Sequence, residues 1–113
     1  MTISEDLSRD PDTAEVLDRA AALLDDAVRT DPTRWQPLVH PDFLQVGFGG
    51  SEVPFAQLGE HLKPLRGSLR AEVLSCERLA DDVILVRWRG TTDGGVVSRG
   101  AVWLRTPGGW QLR

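Results

Sequence analysis

Apolar residues between positions 13 and 29 fall at Val16, Leu17, Ala20, Leu23, Leu24, Ala27 and Val28. Their spacing of three and four predicts a helix with one buried face over that whole stretch. Asp12, with Glu15 three residues on, predicts its start, because carboxylates there meet unpaired backbone N–H groups and the positive end of the helix dipole. Asp31-Pro32 combines a capping carboxylate with a proline at the first helical position and predicts a short second helix through residue 38, with Trp35 and Leu38 facing inward. His40-Pro41 ends it, since the residue before a proline is pushed out of helical geometry. Residues 42–47 then read as a first strand closed by a turn at Gly49-Gly50. A third helix is predicted over residues 54–62, with Phe55, Leu58 and Leu62 on one face and Pro64 as its stop.

Beyond this point the period changes from 3.6 to two, predicting strands at 69–79, 83–91, 96–105 and 110–113. Asp81-Asp82, Asp93-Gly94-Gly95 and Pro107-Gly108-Gly109 tolerate positive φ, so these strands are expected to pair as antiparallel hairpins. The pattern is α+β: helix, helix, strand, helix, then a four-strand meander.

Composition narrows the class. A chain of 113 residues is one domain's worth, expected over residues 12–113 behind a flexible segment at 1–11. Apolar runs such as 20–24 and 83–86 fall far short of the ~20 residues a membrane span needs, so no membrane association is expected. The acidic start Ser4-Glu5-Asp6 lacks the basic and apolar regions of a secretory signal, which points to the cytoplasm. Cys76 is the only cysteine, so an intrachain disulfide is impossible. The net charge of −4 has the wrong sign for a domain that grips phosphate backbones, and no nucleic-acid partner is expected. Lys63 is the only lysine among 13 basic residues, a bias suggesting a GC-rich bacterial genome.

Three segments carry a resemblance. They are Leu23-Leu24 with Val28-Arg29 and Asp31-Pro32, then Leu38-Val39-His40-Pro41-Asp42-Phe43, and Arg99-Gly100-Ala101-Val102-Trp103 with Gly108-Gly109-Trp110. Together with the element order they resemble the uncharacterised bacterial branch of the nuclear-transport-factor-2-like (NTF2-like) superfamily, which includes SnoaL-like and ketosteroid-isomerase-like proteins. The resemblance implies a cone-shaped, cystatin-like fold. Its curved sheet has a concave face covered by helices, a cavity at the open end and a convex face often used for dimerisation. Two departures matter. Relatives of this kind continue past the Gly-Gly-Trp turn, whereas this chain stops at Arg113. Where the isomerases place a catalytic acid, this chain has Gln45-Val46-Gly47-Phe48, and it contains no tyrosine for an oxyanion site. Isomerase chemistry of that form is not expected, nor is nuclease activity, because no acidic cluster has two-metal spacing.

His40 and Asp42 are the catalytic candidates, a carboxylate orienting an imidazole for general-base work. The alternative is that they serve the turn around Pro41. Glu60-His61 are helix neighbours pointing ~100° apart and read as solvent-facing. Two histidines without metal-ligand spacing predict no metal site, and no cofactor is expected. Cys76 reads as a buried, inert thiol, although Arg78 lies two residues away on the same face. In the meander, Ile84, Val86 and Trp88 share one face and Arg87 and Arg89 the other; Arg99, Ala101, Trp103 and Arg105 share a face of the next strand. If Arg99 and Trp103 face the cavity, they form with Trp35, Phe43 and Trp88 an aromatic-walled pocket for a small hydrophobic or anionic ligand. Otherwise the tryptophans are core or interface residues and the arginines are solvated or paired with Glu72 and Glu77. Small Gly100 and Ala101 permit close approach by a ligand or a second backbone. The expectation is a homodimeric small-molecule-binding domain that pairs through its sheet. The alternatives are a cyclase- or isomerase-type enzyme with His40 or Asp42 as base and Arg99 holding an enolate, and a non-catalytic interaction module.

Overall fold

A computed structural model describes residues 10–47 and 49–113. Most of the segment expected to be flexible therefore lies outside the described residues, but Asp10 and Pro11 belong to the first helix. Asp10, not Asp12, is its cap: the carboxylate accepts hydrogen bonds from Thr13 N at 3.1 Å and Thr13 Oγ1 at 3.0 Å, and Pro11 takes the first position, where no N–H is required. The helix, α1, spans Pro11–Ala22. It does not run to residue 29. Asp25 turns extended and its side chain accepts from Ala27 N at 2.8 Å, which starts a separate turn, α2, Asp26–Arg29. The apolar stripe crosses this break unchanged, so Leu23 and Val28 are both buried.

Asp31 caps α3, Pro32–Trp35, through Thr33 N at 3.0 Å. The helix tightens into a 3-10 turn at Gln36–Leu38 because Pro37 has no N–H to continue the α-helical ladder. Strand β1, Leu44–Val46, pairs with a strand that the sequence pattern did not predict, β2, Glu52–Pro54. Gly49 and Gly50, with φ of 86° and 88°, make the tight reversal between them. Helix α4, Phe55–His61, follows directly.

The meander forms as expected. Strands β3 (Arg70–Ala80), β4 (Val83–Thr92), β5 (Gly95–Thr106) and β6 (Gly109–Leu112) lie side by side in chain order, all antiparallel. Val39 bridges to Leu112 and ties the α3 region to the sheet. One face of this curved sheet contributes Val73, Ile84, Val86, Trp103 and Trp110 to the core. The helical layer answers with Val16, Leu17, Val28, Trp35 and Leu58, which is why helices and sheet stay together: each buries an apolar face that is unstable in water. Gly90 marks a close contact in this layer. A Cβ there would sit 3.1 Å from both Leu69 Cδ1 and the Trp88 ring.

Candidate functional site

Alternation along β4 and β5 divides the sequence-named residues between core and surface. Trp103 (1% exposed), Trp35 (3%) and Phe43 (7%) lie in the buried core. The rings of Trp35 and Phe55 meet at 5.6 Å between centroids, tilted by 55°. Trp88 is half-buried against the same cluster. Arg99, its register partner on β5, is exposed. The five residues thus follow a gradient from the centre of the cone outwards. The Trp103 indole N–H is buried without a hydrogen-bond acceptor.

His40 and Asp42 do come together, around the turn. His40 Nδ1 accepts from the Asp42 backbone N–H at 3.0 Å, which leaves the proton of a neutral imidazole on Nε2. The Asp42 carboxylate is 3.9 Å from Nδ1 and its side chain is 71% exposed. The backbone of this turn is held as well, by His40 N to the Leu112 carbonyl at 2.8 Å and by Arg113 Nη1 to the Asp42 carbonyl at 2.6 Å. Cys76 is half-buried, and burial raises its thiol pKa. Arg78 is committed elsewhere.

That commitment is the largest polar cluster the sequence pattern missed. Arg78 Nη2 bonds to Asp10 and Asp12, both at 2.9 Å, and Arg78 Nη1 to the Asp81 carbonyl at 2.8 Å. Asp12 also receives Arg105 at 2.6 Å and Trp110 Nε1 at 3.4 Å. Arg105 stands 4.8 Å over the Trp110 ring, a cation–π contact. Hydrogen bonds from Arg78 and then Arg105 hold the Asp12 carboxyl below its ordinary value of 3.8; for Asp10 the Thr13 N–H leads, followed by Arg78. Carboxylates whose folded pKa is depressed stabilise the fold above the unfolded value, and that contribution is lost as pH falls through the folded one. The melting temperature is therefore expected to hold above about pH 5 and to fall below about pH 4. In an Asp10→Asn/Asp12→Asn variant the acid decline should be shallower. An identical decline in both proteins would assign it to other carboxylates.

A second polar contact closes the far end. The Asp26 carboxylate accepts from Leu65 N at 2.6 Å and Arg66 N at 2.9 Å, and these bonds lower its pKa. Arg66 has φ of 52°, the conformation that turns adjacent N–H groups toward one anion. Two open cavities flank this loop. One, of about 230 Å³, is lined by Leu24, Asp26, Leu65, Gly67, Leu69 and Ala71. The other, of about 290 Å³, is lined by Gly67, Ser68, Arg70, Thr91, Thr92 and Asp93. Neither is lined by the residues named from sequence. Among the described residues, no three His, Cys, Asp or Glu side chains are grouped to hold a metal ion, and no helix is long and apolar enough to cross a membrane.

This chain is NTF2-like in fold: helices cover one face of a curved four-strand meander, as in several solved bacterial proteins of that description. An NTF2-like protein from Cytophaga hutchinsonii matches with a TM-score of 0.67 at 18% identity, over 88% of this chain and 90% of that one. An NTF-2-like protein of unknown function from Pseudomonas aeruginosa matches with the same TM-score and coverage at 21% identity. The S. rosetta CaMKII hub matches with a TM-score of 0.60 at 17% identity, over 91% and 92% of the two chains. No protein-family model and no curated protein matches the sequence.

Proposed function

We propose that this domain works inside the cell as a homodimer joined through the outer face of its four-strand sheet. The observation that carries this reading is the apolar surface left there. Leu74, Leu79 and Val102 are 38%, 54% and 37% exposed beside half-buried Leu85 and Leu104, on the side the helices do not cover. Apolar side chains left in water on a sheet face favour association. The hub domain among the structural neighbours lends the reading support from a fold of the same shape. Sedimentation at tens of micromolar is the test, and a clean monomer would count against it.

The buried indole N–H of Trp103 favours a second activity in the same dimer, binding of a small apolar molecule that carries one acceptor. Trp35 and Phe43 would wall it, with Trp88 and Arg99 on the way out. Anilinonaphthalene sulfonate, an apolar anion, is expected to bind saturably at one molecule per chain. Trp103→Phe should weaken that binding by removing the donor, and Arg99→Ala by removing the charge. Unsaturable binding, or binding untouched by both changes, would refute this reading.

A further inference from the structure

Strand β3 carries two irregularities that change what it shows to water. Its pairing with β4 shifts register between Val73 and Ser75 and again between Arg78 and Ala80, which leaves Leu74 and Leu79 outside the ladder as bulge residues. Val73 is buried in the core, so strict alternation would turn Ser75 and Glu77 inward with it. The extra residue at Leu74 reverses that phase. Cys76 packs against the core instead, Arg78 reaches Asp10 and Asp12 on α1, and Glu77 between them is turned to the outer face.

On β4, Arg87 and Arg89 alternate with Val86 and Trp88, which pack on the core, and so share that outer face. The register sets Glu72 across from Arg89, and the two meet within one chain at 3.9 Å. Arg70 stands at the first position of β3, on the rim of the sheet. Glu77 and Arg87 are different. Across from Glu77 is Leu85, and across from Arg87 are Ser75 and Gly100. Among the described residues neither has an ion-pair partner. Leu85 with its register partner Val102, and the bulged Leu74, make their surroundings apolar.

Both charges are exposed and stable while water reaches them. Covered by an apolar surface, each must meet an opposite charge or be strongly disfavoured. The sheet-face dimer covers both. A two-fold axis makes every contact reciprocal, so a partner found once is found twice. Glu77 and Arg87 are diagonal neighbours on adjacent strands, ~7–8 Å apart. A two-fold axis lying in the interface midway between them brings Glu77 to the partner's Arg87, and Arg87 to the partner's Glu77. The same axis passes beside Leu85 and Val102, which places the apolar pair at the centre.

We propose that Glu77 of one copy and Arg87 of the other form the ion pair that sets how two copies of this chain dock. The inference rests on the sheet-face dimer and goes beyond it: apolar burial favours contact, whereas opposite charges held in a two-fold arrangement fix its orientation and exclude mismatched partners.

Sedimentation equilibrium of the full chain at tens of micromolar tests the pair by charge exchange. Glu77→Arg sets like charges face to face at both contacts of a homodimer, and so does Arg87→Glu. Each is expected to weaken self-association about tenfold or more, with far-UV circular dichroism unchanged because both side chains lie in water in the monomer. Mixing the two variants in equal amounts should restore association, since each then meets the charge it lacks. The double exchange Glu77→Arg/Arg87→Glu should restore it within one chain, and it keeps the test decisive if a single variant fails to fold. Single variants that associate as tightly as the unaltered chain overturn the proposal. So do single variants that weaken while the mixture and the double exchange stay weak, which would mean charges acting through other contacts. If the unaltered chain is monomeric, there is no sheet-face dimer for the pair to orient; if Val102→Glu separates the copies and the charge exchanges do not, the dimer stands and only the ion pair falls.

Discussion

Replacing Val102 with glutamate should produce a folded monomer. Val102 lies on the outer face of β5, opposite Leu85 in register, with its side chain partly in water. An isolated chain accommodates a carboxylate there because water still reaches it. Within an apolar interface the same group is stripped of solvent without a partner, at a cost of several kcal/mol. Two-fold pairing imposes that cost twice, once from each copy. Association should therefore weaken by at least about a hundredfold, since each 1.4 kcal/mol is a factor of ten. Sedimentation velocity paired with far-UV circular dichroism separates the outcomes. A Val102→Glu protein that stays dimeric would place the interface elsewhere, and one that unfolds would show Val102 to be part of the core.

Trp103→Ala should act on folding itself, lowering stability by about 3–5 kcal/mol. Trp103 is among the largest fully buried side chains, and a domain of this size has only about 5–15 kcal/mol in total, so the variant approaches the unfolding threshold. Trp103→Phe should cost far less. It keeps a ring in the same space and removes an indole N–H whose burial without an acceptor costs about 1–3 kcal/mol. Guanidinium melts of the three proteins measure both differences. A loss below about 1 kcal/mol for the alanine variant would mean that the site collapses around the gap.

The meander was legible from sequence because its signals are local: period-two alternation and Gly- or Asp-bearing turns state both the strands and their pairing. The break at Asp25 was not. The apolar stripe runs through it, and only a side-chain hydrogen bond to Ala27 distinguishes one long helix from two. Strand β2 was hidden by its brevity and by Pro54, which reads as a helix start. For the candidate site, alternation correctly grouped Ile84 with Val86 and Trp88, and Trp103 with Arg99. It states which residues share a face but not which face the helices cover, so Trp103 in the core and Arg99 in water carry the same sequence signal. The cluster at Asp12 left no trace because its partners Arg78, Arg105 and Trp110 are 66, 93 and 98 residues away. Such pairings have no period to detect.

That cluster also makes the cone mechanically unequal along its length. Among the described residues, every ion pair between helix and sheet gathers where β3 ends and β4 begins, with Asp10 and Asp12 gripping Arg78 and Arg105. At the opposite end, near Gly67 and Thr91, the cavities open and the helical layer is held by the Asp26 contacts to the backbone of Leu65 and Arg66. The two ends of the helix-to-sheet contact thus differ in kind: ion pairs close one, while the other is left open to water beside Gly67.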